Sequence, residues 1–327
     1  MDKVRVGIVG SQFIATIHAE AFKAVPDAEV IATASPNEEH VRQYARTHGI
    51  PHWFTDYREM LQLDDLDMVT LCLPNSLHCE ATVAAAEAGK HVLCEKPMAL
   101  TYEECEGVLA VAQKAPGKFM VAQCVRFFPA YEYLNETVES GRLGRLLHLS
   151  MSRGGPPPQW SWESWLLDHK RSGGFIIDLH VHDADFVHYL LGRPGAVFST
   201  GAIGPSGGYD VVETQYIYDD KMAVRAGANM ALPTAFKFEA RFVATFAKGC
   251  LRYSTAEPHG LMEITDEGSR HPELPQKDGY AEEIAYFVRC IENDEMPAMV
   301  APESSAFSVK LVQAEKESIE TGRVVEL

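Results

Sequence analysis

The segment VRVGIVGSQFIA, residues 4–15, indicates how the chain begins to fold. Val4–Val9 is a continuous apolar run that suits a strand buried on both faces, and Ile14–Val25 continues with helical spacing. Gly10 stands between them, at the turn where the dinucleotide fingerprint G-x-G-x-x-G/A is found. Gln12 replaces the middle glycine of that fingerprint. The segment therefore predicts a nucleotide-binding strand, turn and helix, and the alternative is a tight turn that needs Gly10 for its backbone alone.

Apolar runs alternate with helical patterns through the rest of the first half. The predicted strands are 29–34, 68–73, 91–94 and 118–123, and the predicted helices are 38–47, 81–88 and 102–114. This alternation predicts a parallel sheet with helices on both faces, and such sheets bind ligands outside the carboxyl ends of their strands. We expect one edge of the sheet to carry the residues that follow the strands: Gly10, Ser35, Pro74, Asn75, Glu95, Lys96 and Gln123.

The second half has a different pattern, because its strands follow one another through short turns such as GPSGG, DDK and KG. The predicted strands are 146–153, 196–203, 211–218, 223–230, 237–246 and 250–253, and helices are predicted over 279–292 and 301–321. The predicted fold class is an α/β dinucleotide-binding domain, residues 1–123, followed by an α+β domain, residues 124–327, with a large open, mainly antiparallel sheet.

Composition excludes several classes of function. The formal net charge of -17 opposes binding to nucleic acid, whose phosphates repel an acidic chain. No apolar run approaches the roughly 20 residues of a membrane-spanning helix. The seven cysteines are scattered and form no CxxC pair, which indicates reduced thiols. The N-terminus enters a strand at once and shows no signal-peptide pattern, so we expect a cytoplasmic location and no membrane partner.

The end of the second strand leaves the choice of nicotinamide cofactor open. An acidic residue there would hold the ribose of NAD, and a nearby arginine would accept the 2′-phosphate of NADP. Ser35 stands at that position, and no arginine follows it directly. This position therefore does not decide between the two cofactors. The expected cofactor is NAD, with NADP as the alternative.

The segment HVLCEKPMAL, residues 91–100, contains an unusual strand end. The apolar run His91–Cys94 stops at Glu95, Lys96 and Pro97. Such a charged pair is either a solvated edge or a functional site, and here it falls at the edge where this architecture binds ligands.

The segment SGGFIIDLHVHDADFVHYLLG, residues 172–192, is the second chemical motif. Asp178, His182 and Asp185 are spaced by four and three residues, which predicts one helical face after the Gly173-Gly174 turn. An imidazole one turn from a carboxylate can serve as a general base, and the alternatives are a surface ion pair or a structural histidine. A metal site involving His180 is disfavoured, because residues two apart on a helix point to different faces, so no metal is predicted.

Three blocks together resemble the Gfo/Idh/MocA oxidoreductases: GIVG…FIA…H, LCLPNSLHCEATVAAAEAGKHVLCEKPMAL and GG-x3-D-x3-H-x2-D. The resemblance runs almost end to end, to the closing TGRVVEL. It implies a Rossmann domain followed by an open-sheet domain that binds substrate and forms a homodimer or homotetramer. It also implies a bound nicotinamide cofactor.

The resemblance implies roles at matching positions. Lys96 matches the lysine that contacts substrate and nicotinamide, and His182 matches the acid/base on the reacting hydroxyl. Asp178 matches the residue that orients His182 or holds a neighbouring hydroxyl. The implied substrate contacts are Lys96, Arg126, Trp165, Asp178 and His182. The implied cofactor contacts are Gly10, Gln12, Phe13, Ile14, Ser35, Leu73, Pro74, Asn75, His78, Glu95, Lys96 and Gln123. Trp165 has core packing as its alternative role.

The predicted function is hydride transfer between nicotinamide and a secondary alcohol of a sugar, glycoside or cyclitol, giving a keto-sugar. One alternative is a redox-neutral oxidation and elimination, or epimerisation, of glycosides with tightly bound NAD. Others are reduction of an imine or dihydrodiol, and a non-catalytic ligand sensor on the same fold.

Overall fold

The computed structural model describes residues 3–327 and divides the chain into two compact units. The first unit comprises the chain up to Phe127 together with Lys277–Phe307, and the second comprises Phe128–Gln276 with Ser308–Leu327. The domain boundary proposed after residue 123 stays a prediction. What the sequence pattern did not anticipate is that residues 277–307 group with the first half of the chain.

The first half of the chain alternates strands and helices as the sequence predicts. Its elements are β1 (Val4–Val9), α1 (Phe13–Phe22), β2 (Ala28–Ala34), α2 (Glu38–His48), β3 (His52–Phe54), α3 (Tyr57–Met60), β4 (Met68–Leu71), α4 (His78–Glu87), β5 (His91–Glu95), α5 (Tyr102–Ala112) and β6 (Phe119–Ala122). Capping residues explain where several helices begin. The Asn37 side chain accepts a hydrogen bond from the third backbone N–H of α2, and Thr101 with Glu104 forms a capping box on α5.

The strands of the first unit form one six-stranded sheet in the order β3-β2-β1-β4-β5-β6. Every neighbouring pair is parallel. The carboxyl ends of β1, β2, β4, β5 and β6 therefore meet at one edge, which confirms the predicted parallel fold class. Apolar residues of the sheet pack against the helix Gly279–Glu292 through Ile284, Phe287 and Val288.

The remaining elements follow in chain order. They are α6 (Pro129–Ser140), β7 (Leu146–Gly154), α7 (His169–Ser172), α8 (Phe175–Asp178), α9 (Val181–Leu191), β8 (Ala196–Ile203), β9 (Tyr209–Ile217), β10 (Ala223–Asn229), β11 (Glu239–Phe246), β12 (Gly249–Ser254), β13 (Leu261–Thr265), β14 (Gly268–Arg270), α10 (Gly279–Glu292), α11 (Pro302–Thr321) and β15 (Val325–Glu326). The short strands β3, β13, β14 and β15 were not predicted.

The second unit is built on a nine-stranded sheet in the order β14-β13-β12-β11-β7-β10-β9-β8-β15. Its pairs are antiparallel except β7 with β10, so the predicted large, mainly antiparallel sheet is confirmed. An aromatic cluster supports it: the Tyr131 ring lies 5.0 Å from Phe186, 5.4 Å from Phe242 and 5.7 Å from Tyr253, centroid to centroid. Among residues 3–327, none of the helices combines the length and apolarity that crossing a bilayer requires.

Candidate functional site

The turn after β1 requires glycine at position 10 and tolerates Gln12. Gly10 has φ +125°, and a Cβ there would lie 2.3 Å from the carbonyl oxygen of Cys72. Gln12 has φ -111° and ψ -158°, an extended conformation open to any residue, and its side chain is exposed. The substitution in the fingerprint therefore leaves the backbone of the turn unstrained.

The start of α1 suits the diphosphate of a dinucleotide. The Gln12 side chain does not cap the helix, and the first turn, which includes Phe13 and Ile14, contains no acidic residue. The first backbone N–H groups of a helix have no intrahelical acceptor and favour an anion. Beside this start, the Ser11 hydroxyl donates to that of Ser35 at 3.0 Å, linking the loops after β1 and β2. These residues fit NAD.

The loop after β4 is braced by a buried histidine. In His78, Nδ1 lies 2.6 Å from the carbonyl oxygen of Pro97, and Nε2 lies 2.9 Å from that of Leu73. Burial lowers the pKa of His78, against the effect of the two carbonyls. Leu73 and Pro74 are half-buried and Asn75 is buried. His78 thus lies between the loops that follow β4 and β5 and, as a neutral ring, donates to one of the two carbonyls. The cofactor contacts of this segment stay a prediction.

The charged strand end of β5 has a defined internal structure. Glu95 is its last residue and is buried, while Lys96 is half-buried beyond it. One Glu95 oxygen lies 2.9 Å from Nε2 of His18, and the other accepts the backbone N–H of Lys96 at 3.1 Å. The Glu95 carboxylate therefore anchors the chain where Lys96 emerges.

Glu95 and His18 form a buried ion pair. Burial raises the pKa of Glu95, but His18 outweighs that effect and holds the pKa below its ordinary value. Burial likewise lowers the pKa of His18, and its neighbours Cys72 and Glu95 raise it to a net value well above the ordinary one. As an imidazolium, His18 donates from Nε2 to Glu95 and from Nδ1 to the Thr70 hydroxyl, 2.9 Å away.

Gln123 and Arg126 follow β6 and are both buried. The Arg126 guanidinium donates to the carbonyl oxygen of Met299 at 2.7 Å and to the Ser304 hydroxyl at 2.9 Å. These bonds attach the segment after β6 to residues 299–304 within the first unit. They support a structural role for Arg126, and the predicted substrate contact stays a prediction.

In the second unit, two glycine pairs bring two loops into backbone contact. Gly174 has φ +79°, and a Cβ there would lie 3.3 Å from Cα of Gly208. The buried Asp210 accepts hydrogen bonds from the Phe175 backbone N–H at 3.3 Å and from the Ser206 backbone N–H at 2.6 Å. Asp210 thus fixes the start of α8, a role that the sequence analysis missed although GPSGG marked the turn.

The prediction that Asp178, His182 and Asp185 share one helical face is wrong for Asp178, which lies in a different helix from the other two. The helix breaks at Leu179 and His180, so Asp178 ends α8 while His182 lies in α9. The backbone N–H of His182 bonds to Leu179, three residues back, which tightens the turn at the break. Asp178 and His182 are both largely buried, with 8% and 9% of their surfaces exposed.

Helix α9 is fixed by polar contacts along its length. Asp183 accepts two hydrogen bonds from Arg153 of β7, at 2.9 and 2.6 Å. At its start, Nε2 of His180 lies 2.9 Å from the Glu315 carboxylate, to which the Tyr216 hydroxyl also donates at 2.7 Å. Burial lowers the pKa of His180, but Glu315 outweighs this effect and the net pKa is raised. His180 is therefore a structural residue beside His182.

Trp165 is half-buried and packs against an apolar cluster of Leu166, Phe175 and Met230. This packing corresponds to the alternative role stated for it, and the substrate contact stays a prediction.

In the part of the chain that the structure describes, the segment around His180 forms no group of three potential metal ligands. Within residues 3–327 such a group consists of His18, Glu95 and Glu283.

Comparisons with known proteins cover both units. The Gfo/Idh/MocA profile described as an oxidoreductase family with an NAD-binding Rossmann fold matches residues 4–123, and the profile of the family's C-terminal domain matches residues 131–252. The chain is 28% identical to myo-inositol 2-dehydrogenase of Thermotoga maritima, over 99% of this chain and 98% of the relative. It is 31% identical to levoglucosan dehydrogenase of Pseudarthrobacter phenanthrenivorans, over 80% of this chain and 69% of the relative.

Solved structures agree at the level of the fold. A levoglucosan dehydrogenase in complex with NADH superposes with a TM-score of 0.90 at 22% identity, covering 99% of both chains. A probable dehydrogenase from Thermotoga maritima gives a TM-score of 0.84 at 25% identity, covering 98% of both chains. With both profiles matched in order along the sequence, the chain belongs to the Gfo/Idh/MocA family of NAD-binding oxidoreductases.

Proposed function

We propose that this protein is an NAD(P)-dependent dehydrogenase that interconverts a secondary alcohol of a sugar, glycoside or cyclitol and the corresponding ketone. The observation that carries the proposal is the end of β5. A buried ion pair there fixes the backbone of Lys96 at the carboxyl edge of an NAD-binding sheet. The named relatives, which include inositol and levoglucosan dehydrogenases, support the substrate class.

The proposed chemistry divides between three side chains. Lys96 stabilises the alkoxide that develops on the reacting hydroxyl, because an ammonium in a water-poor site opposes negative charge strongly. His182 accepts the hydroxyl proton, and Asp178 orients the substrate or the imidazole. Bound nicotinamide supplies the hydride acceptor. Gly10, Gln12, Phe13, Ile14 and Ser35 would hold the diphosphate and ribose, and Leu73, Pro74, Asn75, His78, Glu95 and Gln123 the remainder of the cofactor.

The free thiols of all seven cysteines support a reducing compartment, which we assign to the cytoplasm. We also assign a homodimer or homotetramer, on the resemblance to the family.

The test begins with the nucleotide. The purified protein is heat-denatured and any released nucleotide identified, and NADH and NADPH are titrated into stripped protein. We expect micromolar binding of at least one nucleotide. A panel of cyclitols and pyranoses is then assayed for nicotinamide reduction.

Variants test the assigned roles. Lys96→Met and His182→Asn should each lower kcat about 10²–10⁴-fold, the range of a lost electrostatic or acid–base contribution. The exposed Lys114→Met is the matched control and should leave kcat unchanged. Failure of both nucleotides to bind would overturn the proposal, and full activity of Lys96→Met would remove Lys96 from the mechanism.

A further inference from the structure

Glu283 is a buried acid whose structural environment does not accommodate a charge. It lies on α10 with 0% of its surface exposed. Within residues 3–327, neither of its carboxyl oxygens has a hydrogen-bond partner. A side-chain oxygen of Glu283 lies within 4.8 Å of ligand atoms of both His18 and Glu95. A buried carboxylate in this setting would be costly, because nothing replaces the water that it loses.

The charges of His18, Glu95 and Glu283 balance only if Glu283 is neutral. His18 contributes one positive charge, and Glu95 already neutralises it at 2.9 Å. A second carboxylate at this distance would repel the first in a region without solvent. Burial raises the pKa of Glu283 well above its ordinary value, and Glu95 raises it further. A neutral acid also provides an O–H donor, and the Glu95 carboxylate within 4.8 Å is a charged acceptor for it.

We propose that Glu283 is held as a neutral carboxylic acid that shares its proton with Glu95 and thereby positions Lys96. A small side-chain shift or one bridging water spans the distance between the two carboxyl groups. Glu95 transmits the effect, because its second oxygen accepts the backbone N–H of Lys96. Glu283 is therefore a positioning residue, and its effect on catalysis rests on the function proposed for Lys96.

Several titratable groups interact electrostatically with Glu283 or with its neighbours His18 and Tyr280. From the packed elements these are His18 on α1, Glu95 on β5, Cys72 after β4, Cys124 after β6, and Asp278 and Tyr280 at the start of α10. The set of one imidazole and two carboxylates also matches the ligands of a zinc ion. His18 as an imidazolium cannot ligate a metal, so bound metal is a result that would overturn the proposal.

The first experiment detects the proton directly and needs no substrate. The infrared difference between the wild type and Glu283→Gln should contain the carbonyl band of a protonated carboxylic acid at neutral pH. Glu282→Gln, on the same helix but partly exposed and paired with Lys277, is the matched control and should give only carboxylate bands. A carboxylate band for Glu283, or zinc retained through purification and lost with Glu283→Ala, would overturn the proposal.

The second experiment separates positioning from stability. Glutamine retains the shape and a donor of the neutral acid, so Glu283→Gln should keep kcat within about threefold, whereas Glu283→Ala should lower it about tenfold with little change in the Kd of NADH. If kcat fell equally in both variants, or fell in neither, the positioning role would be overturned. The infrared result and the NADH titration hold even if no substrate is found, which distinguishes failure of this proposal from failure of the proposed function.

The pH dependence of stability gives a third readout. A raised carboxyl pKa stabilises the folded state at low pH, and that contribution is lost as the pH rises from the ordinary value of 4.5 through the folded one. The Tm of the wild type should therefore fall more between about pH 5 and about pH 9 than the Tm of Glu283→Gln. Parallel curves would contradict the protonated state.

Discussion

Two buried imidazole–carboxylate pairs, one in each unit, have the same nitrogen–oxygen distance and different surroundings. His18 lies 2.9 Å from Glu95, and His180 lies 2.9 Å from Glu315. In the second unit a neutral donor, the Tyr216 hydroxyl, completes the pair. In the first unit the additional group is the acid Glu283. The pair of the second unit is therefore completed by a neutral donor, whereas the pair of the first unit has a second acid beside it, and its carboxylate Glu95 also accepts the backbone N–H of Lys96.

The largest effect is expected when the pair of the second unit is broken. Glu315→Ala leaves an imidazolium and a tyrosine hydroxyl buried without their acceptor. We expect a loss of about 3–5 kcal/mol in the free energy of unfolding, measured by urea denaturation. Glu317→Ala, exposed on the same helix, should change it by less than about 0.5 kcal/mol. A small loss for Glu315→Ala would show that His180 can discard its proton.

Breaking the pair of the first unit should lower the free energy of unfolding by less, because the proposed proton donor Glu283 lies within 4.8 Å of Glu95. His18→Leu removes the cation, and Glu283 can then share its proton with Glu95 so that only one negative charge remains. We expect a loss of about 1–3 kcal/mol by the same measurement. A loss as large as that of Glu315→Ala would contradict the proton-sharing group and would make the two pairs equivalent.

A smaller effect is expected from the neutral donor of the second unit. Tyr216→Phe removes one hydrogen bond to a carboxylate and leaves the aromatic ring in place. The expected loss is about 1–2 kcal/mol in thermal or urea unfolding. The exposed Tyr218 hydroxyl, which donates to the carbonyl oxygen of Gly192, offers Tyr218→Phe as the control, with a smaller loss. If Tyr216→Phe left the free energy of unfolding unchanged, water would have to replace the hydroxyl.

A third carboxylate, Glu263, extends the comparison because its contribution to stability changes with pH in the opposite direction to that of Glu283. Glu263 accepts hydrogen bonds from Tyr133, Arg142 and Arg270, and although burial raises its pKa these donors lower it to about 2. Its contribution is present above the ordinary value of 4.5 and is lost as the pH falls towards about 2.

Because two of the donors of Glu263 are partly exposed, screening limits the effect. Glu263→Gln should cost about 1 kcal/mol at pH 7 and nothing at the acid limit. Unfolding curves recorded across this range check the sign, and a difference between the two proteins that grows on acidification would contradict it.

Local pattern was sufficient for much of the fold and for part of the candidate site. The alternation of apolar runs and helical patterns predicts the parallel sheet, and a strand that ends at Glu95, directly before Lys96, identifies the edge that carries both residues. The break at Leu179 and His180 could not be predicted in this way. Nor could the start of α8, which is held by the loop contact between Gly174 and Gly208 and by Asp210, 35 residues from Phe175.

The supporting residues escaped the sequence analysis because their partners are distant along the chain. His18 contacts Glu95 across 77 residues, and Tyr216 contacts Glu315 across 99. The periodic spacing of apolar residues along the sequence does not reveal such pairs. Helix α10 was placed correctly along the sequence, yet only the structure shows that its Glu283 faces His18 and Glu95.

The contact between Gly174 and Gly208 has a consequence for efforts to evolve new specificity. A Cβ at Gly208 would lie 2.9 Å from Cβ of His169 and 3.1 Å from Cα of Gly174, so even alanine forces the two loops apart. A saturation library over these positions should lose nearly every member except the parent codon. Diversity is better introduced at exposed positions such as Trp160, which is 59% exposed on the loop 155–161.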